Sequence, residues 1–369
     1  MDIVEIIKMV VMWIIGIVLI YLAVKKEYEP ALLLPMGFGA ILVNLPNTGV
    51  LNQEMPGIGE VNGIIEWLYE VGIEASEAFP ILLFIGIGAM IDFEPLLQKP
   101  ILVLYGFAAH FGIFVAIGLA YLMGFDTADA FSIGIIGAAD GPTAILMSQI
   151  LNSKYMGPIA VAAYSYMALV PIIMPTTIKC ITTKAERQIA MPIKKGKKIP
   201  QIAKIIFPIA VTIVAGFVAP MSIALVGFLM FGNLIRECKV LDSLSRTAQD
   251  VLVNLITLLL GITIAFSMTA EKFLQIETLF IMFIGLVAFV FDTVGGVLAA
   301  KIMNLFMKEK INPMVGAAGI SAFPMASRVV QKMAGEENPG NIIIMQAAGA
   351  NVSGQVASAI IGGILLGLF

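Results

Sequence analysis

Twelve apolar stretches follow one another along this chain, near 3–24, 31–45, 79–93, 101–123, 130–151, 155–177, 202–219, 221–235, 250–270, 277–306, 313–327 and 341–369. Many approach the roughly 20 residues that a helix needs to cross a hydrocarbon core. In that medium the backbone must satisfy its own hydrogen bonds, which favours helices. Hydrophobic residues make up 59% of the chain and charged residues 13%, against roughly 25% charged in a soluble domain. A soluble globule is thereby excluded, and 369 residues leave no room for a large soluble domain. The chain is predicted to be an all-α polytopic membrane protein. Its first apolar run carries Glu5 and Lys8 and is followed by no small-residue cleavage site, so it is expected to be a retained span and not a signal peptide. Two stretches fit the pattern poorly: 313–327 is too short to span, and 130–151 is broken in its middle.

The break is GAADGPTAI at 137–145, where Asp140 is the only charge between residues 130 and 151. A carboxylate at membrane depth costs several kcal/mol unless something uses it, which makes Asp140 a candidate ion or proton site. Gly141 and Pro142 remove side-chain bulk and a backbone donor, so the helix is expected to break there and free carbonyls to line a polar cavity. The plain alternative is a kinking proline with an incidental paired aspartate.

Loop charge orients the segments. Residues 46–77 hold six Glu and no Lys or Arg, whereas 178–204 hold eight Lys/Arg against one Glu, with KKGKK at 194–198. The basic loop is assigned to the cytoplasm and the acidic one to the outside. From outside, 79–93 goes in, 101–123 comes out, and 155–177 must go in again. The broken stretch 130–151 must then enter and leave from the outside, as a re-entrant element. Continuing, 250–270 goes out, 277–306 returns, 313–327 dips from the cytoplasm and 341–369 goes out, the first pattern upside down.

Internal similarity points the same way. LLFIGIGAMIDFEPLLQ (82–98) and LLGITIAFSMTAEKFLQ (259–275) share a Leu pair, a Glu and a Leu-Gln end, and Gly137, Pro142 and Ala144 match Gly319, Pro324 and Ala326 in spacing. Inverted-topology repeats with interrupted helices, and an ion site between them near the midplane, are a transporter architecture. The chain is read as one transmembrane domain over 1–369. It comprises N-terminal spans with the acidic loop (1–78), a first repeat core (79–177), the basic loop (178–204), linking spans (205–249) and a second repeat core (250–369).

A second polar constellation lies in NPMVGAAGISAFPMASR (312–328), with Asn312, Gly316, Ser321 and Arg328, and in GANVSG (349–354), with Asn351 and Ser353. Tyr164 and Tyr166 stand in AAYSYMALVP. One carboxylate with amide and hydroxyl oxygens suits Na⁺ or H⁺ better than a transition metal. Taken singly, Asn351 or Ser321 could equally be an interhelical bridge. Asp292 in FDTVGG is a further buried carboxylate, and the lone His110 reads as a hydrogen-bonded core residue or a proton relay. Cys180 and Cys238 have neither disulfide nor metal spacing.

GIGAMIDFEPLL, GAADGPTAI, FDTVGGVLAAK, NPxxGxxGISAxPMAxR and GANVSG, in this order, resemble the β subunit of the sodium-pumping biotin-dependent decarboxylases. That family acts on oxaloacetate, methylmalonyl-CoA, glutaconyl-CoA or malonate. The resemblance runs from about Phe79 to the C-terminus. It implies a subunit that decarboxylates carboxybiotin, consumes a proton and exports Na⁺ across the bacterial cytoplasmic membrane. Implied partners are a carboxyltransferase α subunit, a biotin carrier protein or domain and a small single-span γ or δ subunit, in an oligomeric complex. Biotin would be carried by a partner and not by this chain. By position, the resemblance places Na⁺ ligands at Asp140, Asn312, Ser321 and Asn351. It also implies roles for Gly316, Tyr166 and Arg328. Arg328 would hold the carboxylate of carboxybiotin, and Tyr166 or a water would relay the proton. For Arg328 the alternative is a helix-end cation at the cytoplasmic interface. The broken inverted repeats alone fit a Na⁺-coupled carboxylate symporter or a cation/proton antiporter equally well.

Overall fold

The computed structural model describes residues 2–27, 29–75, 77–191 and 198–369. Residues 194–197 of the KKGKK run, on which part of the orientation argument rests, lie outside the described residues. The described chain is helical apart from one antiparallel hairpin, β1 (Asn52–Met55) and β2 (Gly59–Asn62). It falls in the acidic loop.

The N-terminal spans are α1 (Ile3–Lys26) and α2 (Pro30–Val43), followed after the hairpin by α3 (Ile64–Tyr69). Next come α4 (Ala78–Met90), the short α5 (Glu94–Gln98), and α6 (Leu102–Ala108) running into α7 (Phe111–Leu122). A broken pair follows, α8 (Thr127–Gly134) and α9 (Gly141–Ile150), then the long α10 (Met156–Ile181). Helix α10 bends between residues 167 and 169. Pro171 lies four residues after Met167, so the bond to that carbonyl is lost and the ring crowds it. After the short α11 (Lys184–Arg187) come α12 (Gln201–Val218), α13 (Ile223–Glu237) and α14 (Asp242–Arg246). The last part holds α15 (Val253–Ile264), α16 (Ala270–Phe273), α17 (Ile276–Phe306), the broken pair α18 (Met314–Ala317) and α19 (Met325–Glu337), and α20 (Ile344–Leu366).

Six helices among the described residues are long and apolar enough to cross a membrane, or up to eight when the two bent pairs are counted. The protein is therefore a multi-pass membrane protein. Burial separates centre from rim: 83% of the apolar window of α20 is buried, against 17% for α1 and 11% for α12. Isoleucine, leucine and phenylalanine side chains of α1, α12 and α17 remain exposed on the outer surface, as expected where the solvent is lipid.

Both broken pairs fold back on themselves. The ends of α8–α9 meet where Ser153 Oγ donates to Asp129 Oδ1 at 2.7 Å and Lys154 lies 3.6 Å from the same carboxylate. The ends of α18–α19 are clasped together by the segment that follows α10. Arg187 pairs with Glu337 at 2.6 Å, and Asn338 and Asn341 donate to the carbonyls of Gln188 and Ile189. Asn312 donates to the carbonyls of Arg187 and Ile189 at 2.7 and 3.1 Å, while its own oxygen accepts from Met314 N. Lys301, near the end of α17, pairs with Glu186 in the same clasp.

The α18 turn lies against α17 through two glycines. A Cβ on Gly316 would come within 2.0 Å of the Gly296 carbonyl oxygen, and one on Gly296 within 2.2 Å of the Gly316 oxygen. Backbone touches backbone there, so no side chain fits on either side. Gly316→Ala is expected to destabilise the fold by about 1–3 kcal/mol through overpacking, read as a lower midpoint of thermal unfolding in detergent. Asn312→Ala removes the side-chain donor to the part-buried Arg187 carbonyl and one of the two donors to the Ile189 carbonyl, leaves Met314 N–H without its acceptor, and is expected to cost about 1–3 kcal/mol. Limited proteolysis should then cut at 182–191 faster than in the wild type. An unchanged rate would show that Asn312 does not hold the clasp.

Candidate functional site

The tips of the two broken pairs meet inside the protein. Residues 135–138 form a 3₁₀ turn, Ala139 takes a left-handed conformation (φ +52°), and Asp140 stands at the residue just before α9. Pro142, in the first turn of α9, has no N–H to lose there and its fixed φ suits a helix start. Opposite, Ser321 follows α18, and its hydroxyl donates to the Ala138 carbonyl across the contact between the tips.

Asp140 is 3% exposed. Its Oδ2 accepts from Thr143 Oγ at 2.6 Å and from Ser358 Oγ at 2.9 Å. No Lys or Arg forms an ion pair with it among the described residues. A buried carboxylate held only by neutral hydroxyls has no charge partner within the protein and is available to a cation or a proton. The ring of Tyr164 covers Gly141 so closely that a Cβ there would lie 2.1 Å from it. The Tyr164 hydroxyl is buried with no hydrogen-bond partner.

One face of α20 holds both tips. Asn351 Nδ2 donates to Ile320 O at 2.6 Å, Gln355 Nε2 donates to the Ser321 carbonyl, and Ser358 reaches Asp140. The spacings of four and three residues put these three side chains on one helical face. Asn351 Oδ1 and Gln355 Oε1 are buried and accept nothing. The junction thus offers one carboxylate, two unused amide oxygens and one unused phenol. That is a set of hard oxygen donors suited to an alkali cation.

The expected site residues separate into groups. Asp140, Ser321 and Asn351 come together at the junction. Asn312 is instead part of the clasp, with its oxygen engaged by Met314 N, and no described contact joins it to Asp140. Tyr166 turns toward α17, where its hydroxyl donates to the Met282 carbonyl and its ring lies on Gly285. Arg328 is exposed in the first turn of α19 and has no hydrogen bond or ion pair from its side chain among the described residues. It lies four residues after Pro324, close in sequence to the tip. Thr143, Gln355 and Ser358 carry no role in the sequence reasoning. The signals for them were the position three residues after Asp140 and the 351/355/358 periodicity.

The second carboxylate has a different setting. Asp292 Oδ1 accepts from Gly112 N at 2.6 Å, capping from another helix the start of α7 after the break from α6. His110, in that break, is wholly buried with Nδ1 2.5 Å from the Gly106 carbonyl. A carbonyl only accepts, so Nδ1 carries the proton. Its Nε2, like Asp292 Oδ2, has no partner.

A family model described as the Na⁺-transporting oxaloacetate decarboxylase beta subunit matches residues 8–369. The methylmalonyl-CoA decarboxylase subunit beta of Propionigenium modestum is 46% identical over 380 residues, covering 98% of this chain and 94% of that protein. The glutaconyl-CoA decarboxylase subunit beta of Acidaminococcus fermentans is 43% identical, covering 97% and 92%. The probable oxaloacetate decarboxylase beta chain of Vibrio cholerae is 40% identical, covering 96% and 94%. The match begins at residue 8, so it takes in the N-terminal spans that the motifs left out. A buried carboxylate between two broken helix pairs and full-length similarity to these subunits lead to one statement: the chain belongs to the family of beta subunits of the Na⁺-transporting decarboxylases.

Proposed function

We propose that this chain decarboxylates carboxybiotin delivered by a partner subunit and couples that step to Na⁺ export across the bacterial cytoplasmic membrane. The observation that carries the proposal is the junction itself, a buried Asp140 with hydroxyl donors and unused amide oxygens where two folded-back elements touch. In the reaction, the N–C bond of the carboxylated ureido nitrogen breaks. CO₂ leaves, and a proton takes its place on nitrogen. The membrane subunit must therefore hold an anion, deliver a proton and pass a cation in the opposite direction. Arg328 is the free cation for the anion. Asp140, Ser321, Asn351 and Gln355 form the cation site. Tyr166 is spent on a backbone carbonyl, whereas Tyr164, beside Gly141, is free to exchange a proton with the Asp140 region.

The order of elements supports the inverted-repeat reading. Span, short helix, span, folded-back pair and span describe both α4 through α10 and α15 through α20. One pair has its ends beside the acidic Asp129, the other beside the clasp of the basic loop. The partners of the family, a carboxyltransferase, a biotin carrier and a single-span subunit, are proposed for this chain on the same footing.

²²Na⁺ uptake into inverted vesicles carrying the complex tests the function. Uptake should require the acyl substrate and stop with avidin; avidin-insensitive uptake would point to a symporter instead. Within that assay, Asp140→Asn removes the charge at constant size and should abolish Na⁺-dependent turnover while the complex still assembles. Ser358→Ala and Gln355→Leu should each raise the Na⁺ concentration for half-maximal rate about tenfold, the effect of losing one charge-assisted contact. Turnover at saturating Na⁺ should remain. An unchanged Na⁺ dependence in both would assign the α20 face to packing alone.

A further inference from the structure

Helix α19 carries a line of charge where a membrane helix cannot present one to lipid. Arg328, Lys332 and Glu336 are all exposed, at spacings of four residues, while Ala326, Ser327, Val330, Met333 and Ala334 on the other side are buried. The helix packs against α20, which is long and apolar enough to span, and against the bent apolar helix α10. Its far end, Glu337, is fixed at the clasp, and its start follows the tip that touches Ala138. At 1.5 Å per residue, Arg328 lies about 13 Å along the helix from Glu337 and Lys332 about 7 Å. A charge facing hydrocarbon costs about 2.5 kcal/mol or more near the bilayer centre, which argues that this face borders water.

Neither Arg328 nor Lys332 has a side-chain hydrogen bond or ion pair among the described residues. Two free cations one turn apart on a wet face mark a track for an anion. We propose that α19 forms one wall of a water-filled cleft that opens at the clasp and narrows toward the junction. Its occupant is the N-carboxylated ureido ring on its flexible tether, the anion first held by Lys332 and then by Arg328. This rests on the carboxybiotin reading above and adds the route and the first binding residue. Lys332 supplies a mobile point charge that attracts without fixing geometry, whereas the planar fork of Arg328 fixes the carboxylate beside the junction. The two are near enough for a hand-over along one helix turn. Ser321, seven residues before Arg328, lies in the tip that the cation site shares.

The test uses the intact complex. Lys332→Gln should raise KM for the carboxylated carrier about tenfold, with kcat and the half-saturating Na⁺ concentration within about twofold of wild type. Lys332→Arg should restore KM. In parallel, Lys332→Cys and Glu336→Cys are made on a background with Cys180→Ser and Cys238→Ser. A membrane-impermeant thiol reagent on the cytoplasmic side should label both, and carboxylated carrier should slow labelling at Lys332→Cys. Unchanged KM in Lys332→Gln, or labelling of both cysteines by membrane-permeant reagents alone, would overturn the cleft. If the wild-type complex releases no CO₂ from pre-carboxylated carrier, the functional reading fails, and the labelling still decides whether the cleft exists.

Discussion

A helix that stops inside an apolar protein leaves main-chain N–H and C=O groups without partners, and leaving one unsatisfied costs about 1–3 kcal/mol. This chain stops helices inside itself at least three times, and each stop is satisfied from across the structure by a side chain. Asp292 on α17 takes Gly112 N at the α6–α7 break. Ser321 supplies the Ala138 carbonyl at the first tip, and Asn351 and Gln355 supply the carbonyls of Ile320 and Ser321 at the second. The breaks are therefore held by long-range side-chain bonds in addition to local turn bonds such as Ala139 N to Ile136 O and Phe323 N to Ser321 O. Removing one partner should loosen a tip without unfolding a span.

That dependence ties both tips to one helix. Residues Asn351, Gln355 and Ser358 on α20 touch both tips at once, and two of these side chains keep an unused oxygen. A cation arriving there would compete for the oxygens and for Ser358, which now donates to Asp140. A shift of α20 against either tip changes the contacts of the other. Coupling between two ligands requires that both bias the same element. Here α20 and the second tip are the elements shared by the Asp140 site and the start of the charged face of α19.

Close backbone contact is the other requirement. At the Gly296–Gly316 crossing α17 and α18 approach until only hydrogen fits, and at Gly141 the ring of Tyr164 fills the place of a side chain. The contact at Gly141 sets the Tyr164 phenol beside the start of α9. These contacts also explain why the elements around Asp140 are rich in glycine and alanine: bulk there would hold the tips apart.

Much of this was legible in the sequence. Apolar runs near 20 residues fixed the helical membrane class because a run of that length satisfies its own backbone in lipid as a helix, and Gly-Pro after Asp140 marked the helix break that the structure shows. The breaks themselves were marked by Gly and Pro at 141–142 and 319–324, and the structure brings their tips together. What only the tertiary structure decided was the company each polar residue keeps. Asn312 and Ser321 occupy the same motif, yet nine residues of chain carry one to the clasp and the other to the junction. Tyr164 and Tyr166 are two apart, and the roughly 100° turn per residue of a helix sends one to Gly141 and the other to Met282. Ser358 acquired its role through a contact 218 residues away in sequence. Motif spacing constrains which residues are near one another along a helix, while partners across the fold are set by how helices pack, and that information is distributed over the whole chain.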